Sequence, residues 1–308
     1  MAAGKTEKYR TSIGGQALLE GVMMRGPKKT AIAVRRPDGE LQVETWDTEG
    51  LKCRKIPLVR GICSLVSGLK IGYRAMMRSA EISGEDEEED DAFSRWLDRK
   101  FGEKAEKTVE AVVYVISVVL AIALFVVLPT FVTGLLSKVL PIQGIMSLVE
   151  GILKVLIFLL YLWSISRMKE ISRVFAYHGA EHKTIACYEA GDEMKVENIR
   201  NYSRFHPRCG TSFLFIAVTV GIIIFAFIPW RGTFYRALLK LALLPVIAGI
   251  SYELLKYSGT HDGPVARTLA APGLWMQRLT TKEPDDSMIE AALAAFMAVL
   301  PGDGSDIC

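Results

Sequence analysis

The chain has 308 residues, half of them hydrophobic, with 37 Lys and Arg against 34 Asp and Glu for a formal net charge of +3. That balance, with no compact basic domain, gives no support for a nucleic-acid partner, and none is expected; a positive mean hydropathy favours membrane class. The five cysteines, Cys53, Cys63, Cys187, Cys209 and Cys308, are odd in number and scattered, which argues against a disulfide framework and suits a reducing compartment.

Residues 1–10 are polar, and no apolar run near the start resembles a cleaved leader. In SIGGQALLEGVMMRGP (12–27) paired glycines precede a short apolar segment that ends at Gly-Pro. The reading is a turn leading into a short helix. Gly14 and Gly15 permit positive φ or close backbone approach, but no Lys-Ser/Thr follows, so this is not a phosphate-binding loop. TAIAVRRPDGELQVETW (30–46) alternates apolar and polar residues around Pro37-Asp38-Gly39 and predicts a β hairpin. Residues 57–80 carry apolar positions at helical spacing interleaved with Arg60, Lys70, Arg74 and Arg78, the pattern of an interfacial amphipathic helix. The acidic run 85–91 lacks the spacing of a calcium loop and reads as a solvated linker.

A charged amphipathic helix over 92–107 feeds the first membrane span, 111–137, which contains no charged residue and has Pro129 near its far end as a kink site. A second span covers 141–166, where Glu150 and Lys154 at i, i+4 spacing are expected to pair along the helix and face the bundle interior. The third covers 211–230 and ends at Pro229, Trp230 and Arg231; the fourth covers about 234–255, with Lys240, Pro245 and Glu253. The excess of Lys and Arg before span one, between spans two and three, and after span four puts both termini in the cytoplasm. The predicted fold is therefore mainly α: a polytopic membrane protein with about four transmembrane helices, interfacial amphipathic helices and a small cytosolic β hairpin. Residues 1–107 form a cytosolic and interfacial region, 108–256 the membrane bundle with the cytosolic loop 167–210, and 257–308 a cytosolic C-terminal region. There, 259–278 reads as a loop with an interfacial Trp275, 284–300 as a turn followed by a helix in need of a partner, and 301–308 as a disordered tail.

Three of the four histidines lie in YHGAEHKTIACYEAG (177–191) and HPRCG (206–210). If the first stretch is helical, His178 and His182 stand one turn apart, roughly 6 Å along the axis, and can share a metal ion. Glu181 completes H-x-x-E-H, the inverted zincin order, in which the glutamate activates a water. The spacing between His206 and Cys209 suits further ligation. The metal candidates are thus His178, His182, His206 and Cys209, the catalytic candidate is Glu181, and the expected cofactor is Zn2+. Glu253, His261 and Asp262 are alternative third ligands. Glu253 also fits an ion pair with Lys256. Because adjacent helical positions diverge by about 100°, Glu181 must point back to share the face of His182.

The blocks GGQALLEGVMMRGP (14–27), YHGAEHKTIACYEAG (177–191), FHPRCGTSF (205–213) and PGLWMQRLTTKEPDDSMIEAA (272–292) resemble the YqhQ-like bacterial membrane family over nearly the full chain. That family is of unknown function and is labelled a predicted metal-dependent enzyme. The resemblance marks His178, Glu181, His182, His206, Cys209 and the Gly14–Arg25 block. Two functions are expected. One is a metal-dependent hydrolase acting on a lipid-linked or membrane substrate. The other is a non-enzymatic membrane factor for transport, lipid movement or protein assembly, with a structural metal site or none. Four spans are few for a monomeric pathway, so the second version calls for a homo-oligomer or a membrane-protein partner.

Overall fold

A computed structural model describes residues 9–50, 56–84, 104–139, 146–228, 233–261 and 263–307. The acidic run 85–91, most of the 92–107 helix, Pro229, Trp230, Arg231 and Asp262 fall outside the described residues. Strands β1 (Gly14–Leu18), β2 (Gly21–Arg25), β3 (Lys29–Arg35) and β4 (Leu41–Asp47) form one antiparallel sheet in sequential order. The expected hairpin is β3 and β4, closed through Gly39 at φ 87°.

The turn-and-helix reading of 12–27 is corrected, since that segment is the hairpin β1–β2. Leu18 pairs with Gly21 across a two-residue connection in which Glu20 takes φ 47°. Tertiary context decides this, because β2 is buried on both faces. Val22 and Met24 join Ala31, Ala33, Tyr177, Ile185 and Phe296 in one core. Met23, with Leu18, Ile32 and Val34, joins Ala75 and Ile82 in the other. Strand side chains alternate between faces, so the sheet needs a cover on each.

Helix α1 (Val59–Ser83) covers one face and also packs against a later apolar helix, with Gly61 facing Tyr252 and Gly249. Helix α2 (Lys104–Ile122) continues through a π-helical turn (Ala123–Val127) into α3 (Leu128–Val139). Pro129 follows that turn and lacks the N–H needed to keep a regular ladder. Next come α4 (Met146–Ile165), α5 (Lys169–Glu189), the short α6 (Val196–Ile199), α7 (Thr211–Ala226), α8 (Thr233–Thr260), α9 (Pro264–Thr280) and α10 (Asp286–Val299). Three helical stretches, Val112–Val139, Met146–Ile165 and Phe234–Thr260, are long and apolar enough to cross a membrane; the expected third span is the shorter α7.

Several expectations change here. Glu150 is buried, but it pairs across the bundle with Arg236 at 3.2 Å and with Lys240, and accepts from Thr130 at 2.8 Å; Lys154 is not its partner. Cations on a facing helix reach the carboxylate, and one-dimensional spacing does not reveal them. Glu253 pairs with Arg60 of α1, Nε to Oε1 at 2.6 Å, and not with Lys256. The loop expected over 259–278 is largely α9, because Pro264 stands in its first turn, where a missing N–H costs nothing. Cys63 is disulfide-bonded, whereas Cys187 and Cys209 are not part of a disulfide.

The C-terminal helix is as expected. Asp285 caps α10 by accepting from Met288 N at 3.0 Å, and the apolar face packs on α5, β2 and β3. The tail is anchored, not loose. Asp306 is buried and accepts from the Thr11 and Tyr188 hydroxyls, both at 2.9 Å, and Thr11 bridges to Ile307.

Candidate metal centre

The expected helix over 178–182 exists as α5, 21 residues long, so the i, i+4 pair shares a face and the two imidazole centroids are 4.4 Å apart. Cys209 enters from the turn before α7, and its sulfur lies 3.1 Å from His178 Nε2. Ligand atoms of His178, His182 and Cys209 all lie within 4.8 Å of one another. An ion bonded to all three at about 2.0–2.3 Å needs donors roughly 3.3–3.7 Å apart, so a pair at the 4.8 Å limit must close by roughly 1–1.5 Å, within reach of side-chain rotation.

Backbone carbonyls set which nitrogen of each ring is available. His178 Nδ1 faces the Thr280 carbonyl at 2.8 Å, and His182 Nδ1 faces the Arg204 carbonyl at 2.6 Å. A carbonyl only accepts, so each Nδ1 carries the proton and each Nε2 of the neutral ring presents a lone pair. His182 Nε2 is buried and has no hydrogen-bond partner, with the Cys209 sulfur in its neighbourhood. An orphaned buried acceptor costs about 1–3 kcal/mol, a cost that a cation removes. Thr211 N–H points at the Cys209 sulfur at 3.4 Å from the first turn of α7, the partially positive end of that helix.

Glu181 lines the same cavity as His182. Its side chain lies flat on β1, where an added Cβ at Gly15 would stand 2.9 Å from its Cγ and Cδ and 2.7 Å from the Met23 carbonyl oxygen. Gly15 N–H donates to its carboxylate. Gly15 therefore allows close approach, whereas a Cβ at Gly14 would meet nothing within 4 Å, and both line the wall opposite α5. Between them lies a cavity of about 260 Å3 lined by Gly14, Gly15, Glu181, His182, His206 and Cys209, among others.

Burial pushes the Glu181 carboxyl above its ordinary range, against the opposing pull of His178, His206 and the Gly15 amide. Burial also pushes His182 below its ordinary range, partly opposed by Cys209. Burial thus disfavours the charged form of both groups. Because the His182 value is depressed, its contribution to stability is present above the unfolded value near 6.5 and is lost as pH falls below it.

His206 lies near this group but outside the three-donor cluster. Its ring is 5.7 Å from that of His182, its Nε2 is 3.3 Å from Glu189 Oε2, and its Nδ1 accepts from Arg208 N at 3.4 Å. Gln277 clamps its backbone through two hydrogen bonds of 2.8 Å. His261 is exposed, stacked on Tyr257 and absent from the cluster, and Glu253 is held by Arg60.

Glu189 is the residue that sequence reasoning missed. Buried at the end of α5, it accepts from Thr11 N at 2.9 Å and binds Arg208 and His206. Its position within the 177–191 block was the only signal. Glu189→Ala leaves these donors without their carboxylate and is expected to cost about 3–5 kcal/mol, measured by denaturant unfolding in detergent micelles. A stability equal to wild type would contradict this role.

Residues 56–302 match the family described as "Protein of unknown function (DUF1385)". The chain is 34% identical over 298 residues to the uncharacterized protein YqhQ of Bacillus subtilis (strain 168), covering 95% of this chain and 93% of that protein. No solved structure matches.

Proposed function

The chain belongs to the DUF1385 family of proteins of unknown function, and we propose that it is an integral membrane metallohydrolase acting at the cytoplasmic face on a lipid-linked or membrane-embedded substrate. The observation that carries this is donor polarity: two Nε2 lone pairs and one sulfur converge, with both Nδ1 protons committed to carbonyls. A mixed nitrogen and sulfur set suits Zn2+. When bound, such an ion supplies a Lewis acid at its remaining position.

The chain's own residues do the rest. Glu181, with its raised proton affinity, is suited to accept a proton from the attacking water and pass it to the leaving group. Gly15 lets the Glu181 side chain lie against β1, and Gly14 and Gly15 line the cavity opposite α5. Glu189 keeps His206 away from the donors, which supports an open centre over a closed four-ligand one. In the proposed topology the termini are cytoplasmic and α7 is a third crossing among four. Its 16 residues cover about 24 Å against a hydrocarbon core of about 30 Å, so Phe227 and Ile228 must contribute.

Reconstitution with cobalt tests the centre. Wild-type protein should show a thiolate-to-metal charge-transfer band that Cys209→Ser removes; identical spectra in both would overturn the ligand set. A second reading, a non-enzymatic membrane factor, draws on the buried Glu150, Arg236 and Lys240 cluster, because charges inside a bundle often mark conduits. It requires that Glu181→Gln leave function intact.

A further inference from the structure

A second cavity, of about 210 Å3, lies where α8 ends and α9 begins, closed by the N-terminal segment and the 205–210 turn. Four of its lining residues are basic side chains, Arg10, Arg208, His261 and Arg267, and among the described residues none is a carboxylate. The Arg208 guanidinium pairs with Glu189 and donates to the Thr11 carbonyl at 3.0 Å, while Arg10 Nη1 donates to the Gly259 carbonyl at 3.4 Å. The floor is small and apolar, with Ala266 and Ala270 of α9 both buried. Surface charges of one sign are normally interspersed with the other. A concave wall of cations focuses field lines and raises the local concentration of anions.

We infer that this cavity binds the phosphate group of the ligand on which the neighbouring centre acts, the phosphate being that of a membrane lipid headgroup or a free phosphate. Three features favour phosphate over a lone carboxylate. Arg10, Arg208 and Arg267 line one cavity, and planar guanidinium forks match phosphate oxygens. The volume is a fraction of the roughly 300–1,000 Å3 that a whole drug-sized ligand needs, so it takes a headgroup and leaves any chains outside. The cavity also opens at the C-terminal end of a helix apolar enough to span a bilayer.

Arg208 lines both cavities, and Cys209 follows it directly in the wall of the metal centre. A phosphate held here would therefore sit beside the donors, positioned but not itself coordinated. Binding in this cavity stands on its lining alone; its link to turnover rests on the metallohydrolase reading above.

The test uses the full chain in detergent micelles at low salt, titrated calorimetrically with dihexanoyl phosphatidic acid, inorganic phosphate and neutral dioctanoylglycerol. Wild type is expected to bind at least one phosphate-bearing probe at least about tenfold more tightly than the neutral lipid. Arg267→Glu and Arg10→Gln should weaken that binding about tenfold or more, and salt should weaken it further. Tight binding of phosphatidic acid alone identifies a lipid headgroup, and equal competition by inorganic phosphate identifies a free-phosphate site. Equal affinity for the neutral lipid, or unchanged affinity in Arg267→Glu, would overturn the inference. Repeating the titration on His182→Ala separates the two readings: phosphate binding that survives loss of the metal supports the cavity whatever becomes of the hydrolase.

Discussion

His182→Ala is expected to purify with essentially no bound zinc, against about one ion per wild-type chain, as measured by elemental analysis. His182 Nε2 is a buried acceptor with no hydrogen-bond partner, and the Arg204 carbonyl fixes the tautomer that exposes its lone pair. Removing it takes away one of three donors, a larger loss than the ~10–100-fold that follows removal of a group that only orients a ligand. His261→Ala, at an exposed ring outside the cluster, should keep its zinc. Zinc at wild-type stoichiometry in His182→Ala would exclude His182 as a ligand.

Glu181→Gln is expected to retain zinc and to lose roughly 10²–10⁴-fold in hydrolytic turnover, the usual share of a general base. The substitution keeps the shape of the side chain and an oxygen for the Gly15 N–H, so the packing against β1 survives. What disappears is the proton acceptor. Turnover is read on lipid extracts of the native membrane, by release of the polar product. Loss of zinc in this variant would instead make Glu181 a ligand, and unchanged turnover would favour the non-enzymatic reading.

Much of the centre was legible because helical spacing is a local property. His178, Glu181 and His182 needed only the helix to form, and α5 forms over 21 residues. The apolar runs and the Pro37-Asp38-Gly39 turn were local in the same sense. What the chain hid depended on partners distant in sequence. The segment GGQALLEGVMM carries apolar residues that fit a short helix, and it becomes β1–β2 because β3 offers Ala31 and Ala33 as partners for Met24 and Val22. Glu150 finds Arg236 and Lys240 on another helix, 86 and 90 residues away, although Lys154 is closer in sequence. Asp306 is ordered by Thr11 and Tyr188, from opposite parts of the chain. His206 stands within reach of the donors by sequence, yet Glu189, unremarkable at a helix end, holds it aside.

The centre itself is tested most directly by X-ray absorption at the zinc edge on the purified full chain. The expected set of ligands is two imidazole nitrogens at about 2.0–2.1 Å and one sulfur at about 2.3 Å. A shell without sulfur, or a chain that binds no zinc when the ion is supplied, would contradict it.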